Sequence, residues 1–191
     1  MILGLMLKIQ ISLMMGKKSD EPKILLDCDV IIHFTRAGKQ LLLPKIFPDR
    51  FVILDKVRAE LDKHKGKLTA VANFVEWSKI PVIAMPPQIE ILKEYSLLKK
   101  EMGEGEAACL AVAKHTKDYI ASSNLRDIGD YCKTHGIVYL TTMDILLQAY
   151  LNGIMDEEEC DNFIKEVKQK GSKLVFGINK ISDYRKLKEA S

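Results

Sequence analysis

A three-layer α/β/α domain built on a mostly parallel sheet is the fold class this chain predicts. Short apolar runs recur at residues 23–27, 51–54, 81–84, 118–121 and 137–140, each bounded by polar or turn-forming residues, as buried strands are. Stretches with helical spacing fall between them. That alternation makes neighbouring strands parallel and puts helices on both faces of the sheet. No repeat, low-complexity segment or linker divides the 191 residues, a length that suits one domain with a full core.

The first run, Lys23-Ile24-Leu25-Leu26-Asp27, climbs into the acids Asp27 and Asp29 before apolar residues resume. Val30, Ile31 and Phe34 with Gly38 read as a short helix that stops at a glycine. Residues 40–50 are apolar but hold Pro44 and Pro48, so they form a connector or a short helix. After the second strand, Asp55 can cap a helix through Val57, Glu60 and Leu61, broken at Gly66. Leu68 to Lys79 reads as an amphipathic helix with Trp77, and Gln88 to Lys100 has helical spacing after Pro86-Pro87. Gly103-Glu104-Gly105-Glu106 opens a helix from Ala107 to His115 that is small and apolar almost all round, which predicts central burial. Ser122-Ser123-Asn124 starts another helix. Thr141-Thr142 starts one that Gly153 stops, and Asp156 starts one through Phe163 and Val167. The tail from Gly171 is basic and weakly patterned.

Hydrophobic residues make up 47% and charged residues 29%, the balance of a soluble globular chain rather than a disordered one. The net charge of +3 is too mild to argue for nucleic-acid binding by itself. Cys28, Cys109, Cys132 and Cys160 form no C-x-x-C pair and read as reduced thiols of a cytoplasmic protein. The four histidines have no zinc spacing. The apolar first fifteen residues are too short to span a bilayer, and Lys8 interrupts them. They read as an extension upstream of a start at Met15, or as an extra strand or apolar interaction segment. The expected organisation is an extension over 1–22, a domain over 23–155, and a helix and basic tail over 156–191 packed on it.

Acidic and polar groups gather where strands end or helices begin: Asp27, Glu60, Glu104, Glu106, Ser122, Ser123 and Asn124. In a parallel sheet those points meet at one edge. Several carboxylates there repel one another unless a divalent cation neutralises them, and magnesium and manganese favour oxygen ligands. Such a site can activate water and offset the charge of a phosphodiester under attack. Each residue also has an ordinary structural role. Asp29 would cap the first helix while Asp27 binds loop amides. Glu60 would be an exposed helix acid. Glu104 and Glu106 would suit a helix N-terminus, and the Ser-Ser-Asn run would be capping residues.

These motifs resemble the PIN-domain family, metal-dependent nucleases that include VapC-type toxins. Asp27-Cys28-Asp29-Val30 matches the family's first strand end, though Asn or Ser is usual where Asp29 stands. Val57-Arg-Ala-Glu60 matches its V-x-x-E. Gly103-Glu-Gly-Glu-Ala-Ala-Cys-Leu-Ala-Val-Ala113 closely matches its G-x-G-E-A helix. Ser122-Ser123-Asn124 departs from the usual T-D-D. Thr142, Leu146 and Ala149 resemble the closing segment, where Asp144 replaces a glycine. The resemblance spans roughly 23–155 and implies a ribonuclease using Mg2+ or Mn2+. Asp27, Glu60 and Glu106 would hold the metal and carry the chemistry. Asp29, Ser123, Asn124, Asp127 and Asp144 are weaker candidates, Asp127 or Asp144 replacing the missing fourth acid. RNA is the implied partner, with a cognate antitoxin and a homodimer as further expectations and no membrane.

Two alternatives remain at this stage. One is a PIN-like module that has lost its fourth acid and only binds RNA or a protein. The other reads Asp27-Cys28-Asp29 as the D-x-D of a haloacid-dehalogenase-type phosphatase, with Asp27 as nucleophile. That family also needs a closing acidic pair, which the chain does not convincingly supply.

Overall fold

The run Ile24–Leu26 becomes the middle strand of the sheet, and its three residues are buried. The computed structural model describes residues 21–64, 69–175 and 177–190. Strands β1 (Ile24–Leu26), β2 (Phe51–Leu54), β3 (Val82–Ile83), β4 (Tyr119–Ala121) and β5 (Tyr139–Leu140) lie in the order β3-β2-β1-β4-β5. Every pairing is parallel, with Ile24 opposite Phe51, Leu26 opposite Ala121, Ile53 opposite Val82 and Ile120 opposite Tyr139. Parallel neighbours need crossovers, and helices supply them. The crossovers hold α1 (Cys28–Arg36), α2 (Leu43–Ile46), α3 (Asp55–His64), α4 (Thr69–Ser78), α5 (Ile89–Leu98), α6 (Glu104–Thr116) and α7 (Leu125–His135), and α8 (Thr142–Leu151), α9 (Glu157–Gln169) and α10 (Ile181–Glu189) follow the last strand.

Strands buried on both faces read as unbroken apolar runs, and β1 and β2 do so. The edge strand β3 differs: Val82 and Ile83 are 41% and 42% exposed because one flank has no neighbour. Helix α6 is buried from Gly105 through Ala113 and packs against α3, α5 and the strands, as its all-round apolar sequence predicts.

The tail differs from its weak sequence pattern. Residues 181–189 form α10, which packs on α8 and α9. Only Ile181 and Tyr184, one turn apart, are buried in it, a stripe too short to register as periodicity. Polar partners complete the docking. The Tyr184 hydroxyl donates to Asp144 Oδ1 at 2.7 Å, and Lys188 Nζ lies 2.8 Å from the same oxygen. No described helix is long and apolar enough to cross a membrane. The expectations for the segment before residue 21 and for a break at Gly66 lie outside the described residues.

Candidate metal centre

Leaving β1 the chain turns toward β2, and leaving β4 it turns toward β5. The carboxyl ends of β1 and β4 therefore flank a crevice, where open parallel sheets bind ligands. Asp27 is the first residue beyond β1. Its backbone N–H still donates to Ala121 O at 3.0 Å, while its Oδ1 accepts from the Cys28 N–H at 2.8 Å and caps α1. Asp29 lies in the first turn of α1. Its Oδ2 accepts from the Ser123 N–H at 2.7 Å and from Ser122 Oγ at 3.5 Å, and its buried Oδ1 has no partner among the described residues. The ordinary roles expected for the two acids are thus exchanged. Asp27 is the cap and Asp29 takes the loop amide, because only Asp29 projects toward the turn after β4.

Glu60 comes from α3 but is held by α6. Its Oε1 accepts from the Gly105 N–H at 3.0 Å, and its Oε2 faces Cys28 Sγ at 3.5 Å. The two glycines of the G-x-G-E-A segment make room for this. A Cβ on Gly105 would stand 2.6 Å from Glu60 Oε2 and 3.2 Å from Val57 Cα, and one on Gly103 would stand 3.1 Å from Glu60 Oε1. The first contact could be relieved by moving a side chain, but the second is backbone. Gly105→Ala is therefore expected to cost about 1–3 kcal/mol, the usual penalty of overpacking. Denaturant unfolding checks this, and an unchanged midpoint would show that α3 and α6 separate freely.

Glu106, in the first turn of α6, is 8% exposed, and its Oε1 has no partner among the described residues. Asn124 lies close enough to its carboxylate to lower it, and donates from Nδ2 to Asp127 Oδ2 at 2.8 Å. Asn124 thus separates two acids with a neutral amide. The charges nevertheless crowd. Burial, then Asp29 and Glu106, push the Asp27 carboxyl well above the carboxylate range. Burial pushes Asp29 up to about 6. Burial and Asp127 push Glu106 up to about 7, opposed by the nearby Asn124 amide.

Each of these carboxyls binds its proton more tightly folded than unfolded. Their contribution is therefore full at low pH and is lost as pH rises through the raised values. Buried His33 acts with the opposite sign, since burial lowers it to about 4 and its folded form resists protonation below the ordinary value of 6.5. Between about pH 6.5 and 8 the carboxyls outweigh His33, whose unfolded form gives up the rest of its proton in the lower part of that window. Metal-free protein is expected to lose on the order of 1–2 kcal/mol across that window, and added manganese to restore it. Melting with chelator at both ends of the window checks this. A flat profile would show the carboxyls already ionised and paired.

The structure brings some candidate residues together and separates others. Ligand atoms of Asp27 and Glu60 lie within 4.8 Å of one another, joined by Cys28 Sγ rather than by Glu106. Glu106 and Asp29 lie close enough to shift the Asp27 carboxyl, and Asp127 faces Glu106. Asp144 is placed elsewhere. It completes a capping box with Thr141 and binds Tyr184 and Lys188, so it brings no charge to the crevice. Ser123 Oγ is also engaged: it donates to Thr142 Oγ1 at 2.7 Å and accepts from the Thr142 N–H at 2.8 Å. Three features had no sequence signal. One is the Cys28 thiol at the centre. Another is His33 Nδ1, 2.8 Å from Thr142 Oγ1, which extends the hydroxyl chain into the core. The third is a cavity of about 480 Å³ beside Asn124 and Asp127, lined also by Arg126 and Lys173.

The donor set suits a hard divalent cation. It offers carboxylate oxygens, two of them buried without partners, at a place where repulsion already favours neutralisation. A family model described as DUF3368: PIN domain matches residues 23–175, which reaches past residue 155 into the segment with Lys173. No curated protein matches the chain.

Proposed function

This chain belongs to the PIN-domain family, a nuclease-type fold, and on that premise we propose that it is a ribonuclease working with bound magnesium or manganese. The observation that carries the reading is the pair of unpartnered buried oxygens, Asp29 Oδ1 and Glu106 Oε1, set around Asp27 and Glu60 at the end of the central strand. Asp27 and Glu106 would hold the cation, and Glu60 would ligate it or orient water. When bound, the cation supplies a water of lowered pKa and positive charge for the phosphodiester. The chain's part is to hold the oxygens still. The Gly105 N–H fixes Glu60, the Cys28 N–H fixes Asp27, and Ser122 with Ser123 fixes Asp29.

The adjoining cavity supports a phosphate-bearing substrate, because Arg126 and Lys173 line it next to the acids. Phosphate contacts of this kind set affinity and its salt dependence. The double variant Arg126→Ala, Lys173→Ala is expected to raise KM with little change in kcat. It should reduce the salt slope of single-stranded RNA binding by roughly 1.4. An unchanged slope would place the RNA elsewhere.

The activity is tested by incubating structured and single-stranded RNAs with the purified protein and manganese, with and without chelator. Metal-dependent cleavage leaving 5′ phosphates is expected, and cleavage that ignores chelator removes the mechanism. A toxin role would show as arrested growth on expression, relieved by a small antitoxin that covers the acidic crevice. Unchanged growth removes that role but not the nuclease.

A second reading has its own observation. Asn124 brings an amide, already bonded to Asp127, where the family usually carries an acid. A module that binds RNA or protein without turnover would keep RNA affinity and show no cleavage with any divalent metal.

A further inference from the structure

Cys28 is an unusual neighbour for a hard-cation site. Its Sγ lies 3.5 Å from Glu60 Oε2 and 3.5 Å from Val57 O, and the ligand atoms of Asp27, Cys28 and Glu60 all fall within 4.8 Å of one another. A thiolate and a carboxylate oxygen on one tetrahedral zinc ion stand roughly 3.6 Å apart, from Zn–S of about 2.3 Å and Zn–O of about 2.1 Å. The sulfur–oxygen spacing is therefore already that of a shared ligand pair. Glu106, 8% exposed with an unpartnered oxygen, lies close enough to raise the Asp27 carboxyl, though its oxygens are not among the ligand atoms within 4.8 Å. Magnesium and manganese gain little from sulfur, whereas zinc and cadmium take it readily, and zinc binds mixed donor sites more tightly than manganese.

We propose that Asp27, Cys28 and Glu60 form a mixed thiolate–carboxylate site for a thiophilic divalent cation of the zinc class, which competes with the hard cation for Asp27 and Glu60. The cation exchanges for the thiol proton, which leaves to buffer, and no electron changes hands. The sulfur stops donating to Val57 O and Glu60, and the cation bridges it to Glu60 instead. The nuclease would then respond to intracellular zinc through the Cys28 sulfur, which is not among the oxygens proposed to hold manganese, while the Cys28 backbone N–H goes on holding Asp27.

This inference rests on the metal-centre reading of Asp27 and Glu60, so its test separates the two. Cadmium is titrated into the whole chain under reducing conditions, and the ultraviolet thiolate-to-cadmium absorption band is followed. Manganese binding and RNA cleavage are measured in parallel. Wild type is expected to develop the band at one equivalent and to lose manganese in competition. Cys28→Ser should abolish the band, weaken cadmium on the order of 10–100-fold, and keep manganese binding. Cys109→Ala, which removes another buried thiol near the centre, should keep the band. Should Cys28→Ser fail to fold, cadmium protection of the Cys28 peptide from alkylation in wild type reads the same contact. A band that survives Cys28→Ser, or wild type that binds manganese but gives no band and no protection, overturns the proposal and leaves the nuclease reading standing. A Cys28-dependent band without manganese-dependent cleavage supports it and removes the nuclease reading instead.

Discussion

Asp27→Asn is expected to reduce metal-dependent RNA cleavage by at least about a hundredfold while the protein stays folded. Even partners that merely orient a metal ligand cost 10–100-fold when removed, and Asp27 lies at the centre of the cluster. The fold survives because Asn is as good a helix cap as Asp, and its carbonyl can accept the same Cys28 N–H. The metal-free variant should also resist heat better than wild type above neutral pH. It lacks a buried carboxyl that Asp29 and Glu106 crowd. Cleavage assays, manganese calorimetry and melting with chelator measure the three effects. Full activity in the variant would move the reaction away from this crevice. Lost activity accompanied by lost folding would make Asp27 a structural cap and nothing more.

Asn124→Asp is expected to act in the opposite direction on metal and on stability. The wild-type amide donates to Asp127 and lowers the nearby Glu106 carboxyl, so it relieves two carboxylates at once. An aspartate keeps the position and loses the donor, which places a third negative charge between them. Metal-free protein should therefore be less stable at neutral pH by about 1 kcal/mol, and the Glu106 carboxyl should titrate higher still. Manganese should bind about tenfold tighter, because one more anionic oxygen faces it, and cleavage should rise with occupancy. Calorimetric titration of both proteins is the measurement. If neither binds manganese, the acids form no metal site, and the binding-module reading replaces the nuclease one.

The sequence by itself determined the architecture, because two periodicities carry it. Apolar runs of three or four residues bounded by turn-forming residues suit strands buried on both faces, while the longer small-residue run from Ala107 to Ala113 suits a buried helix, and their alternation leaves a parallel sheet as the workable arrangement. It also determined that Asp27 ends a strand, that Glu106 opens a buried helix, and that the G-x-G-E-A segment brings the PIN resemblance that the family match covers. Tertiary structure alone decided who touches whom. Glu60 comes under the control of Gly105 because helices from distant parts of the chain meet where a Cβ would not fit. Asp144 and Tyr184, forty residues apart, find each other only when α10 docks, and that contact draws a candidate acid out of the crevice. Cys28 looked like one more core thiol, since a side chain next to an acid in sequence is not marked for the same cavity. The helix starting at Asp27 turns it toward Glu60. Periodicity reports which face of an element is buried, and the meeting of faces from separate elements is a long-range event that no local pattern encodes.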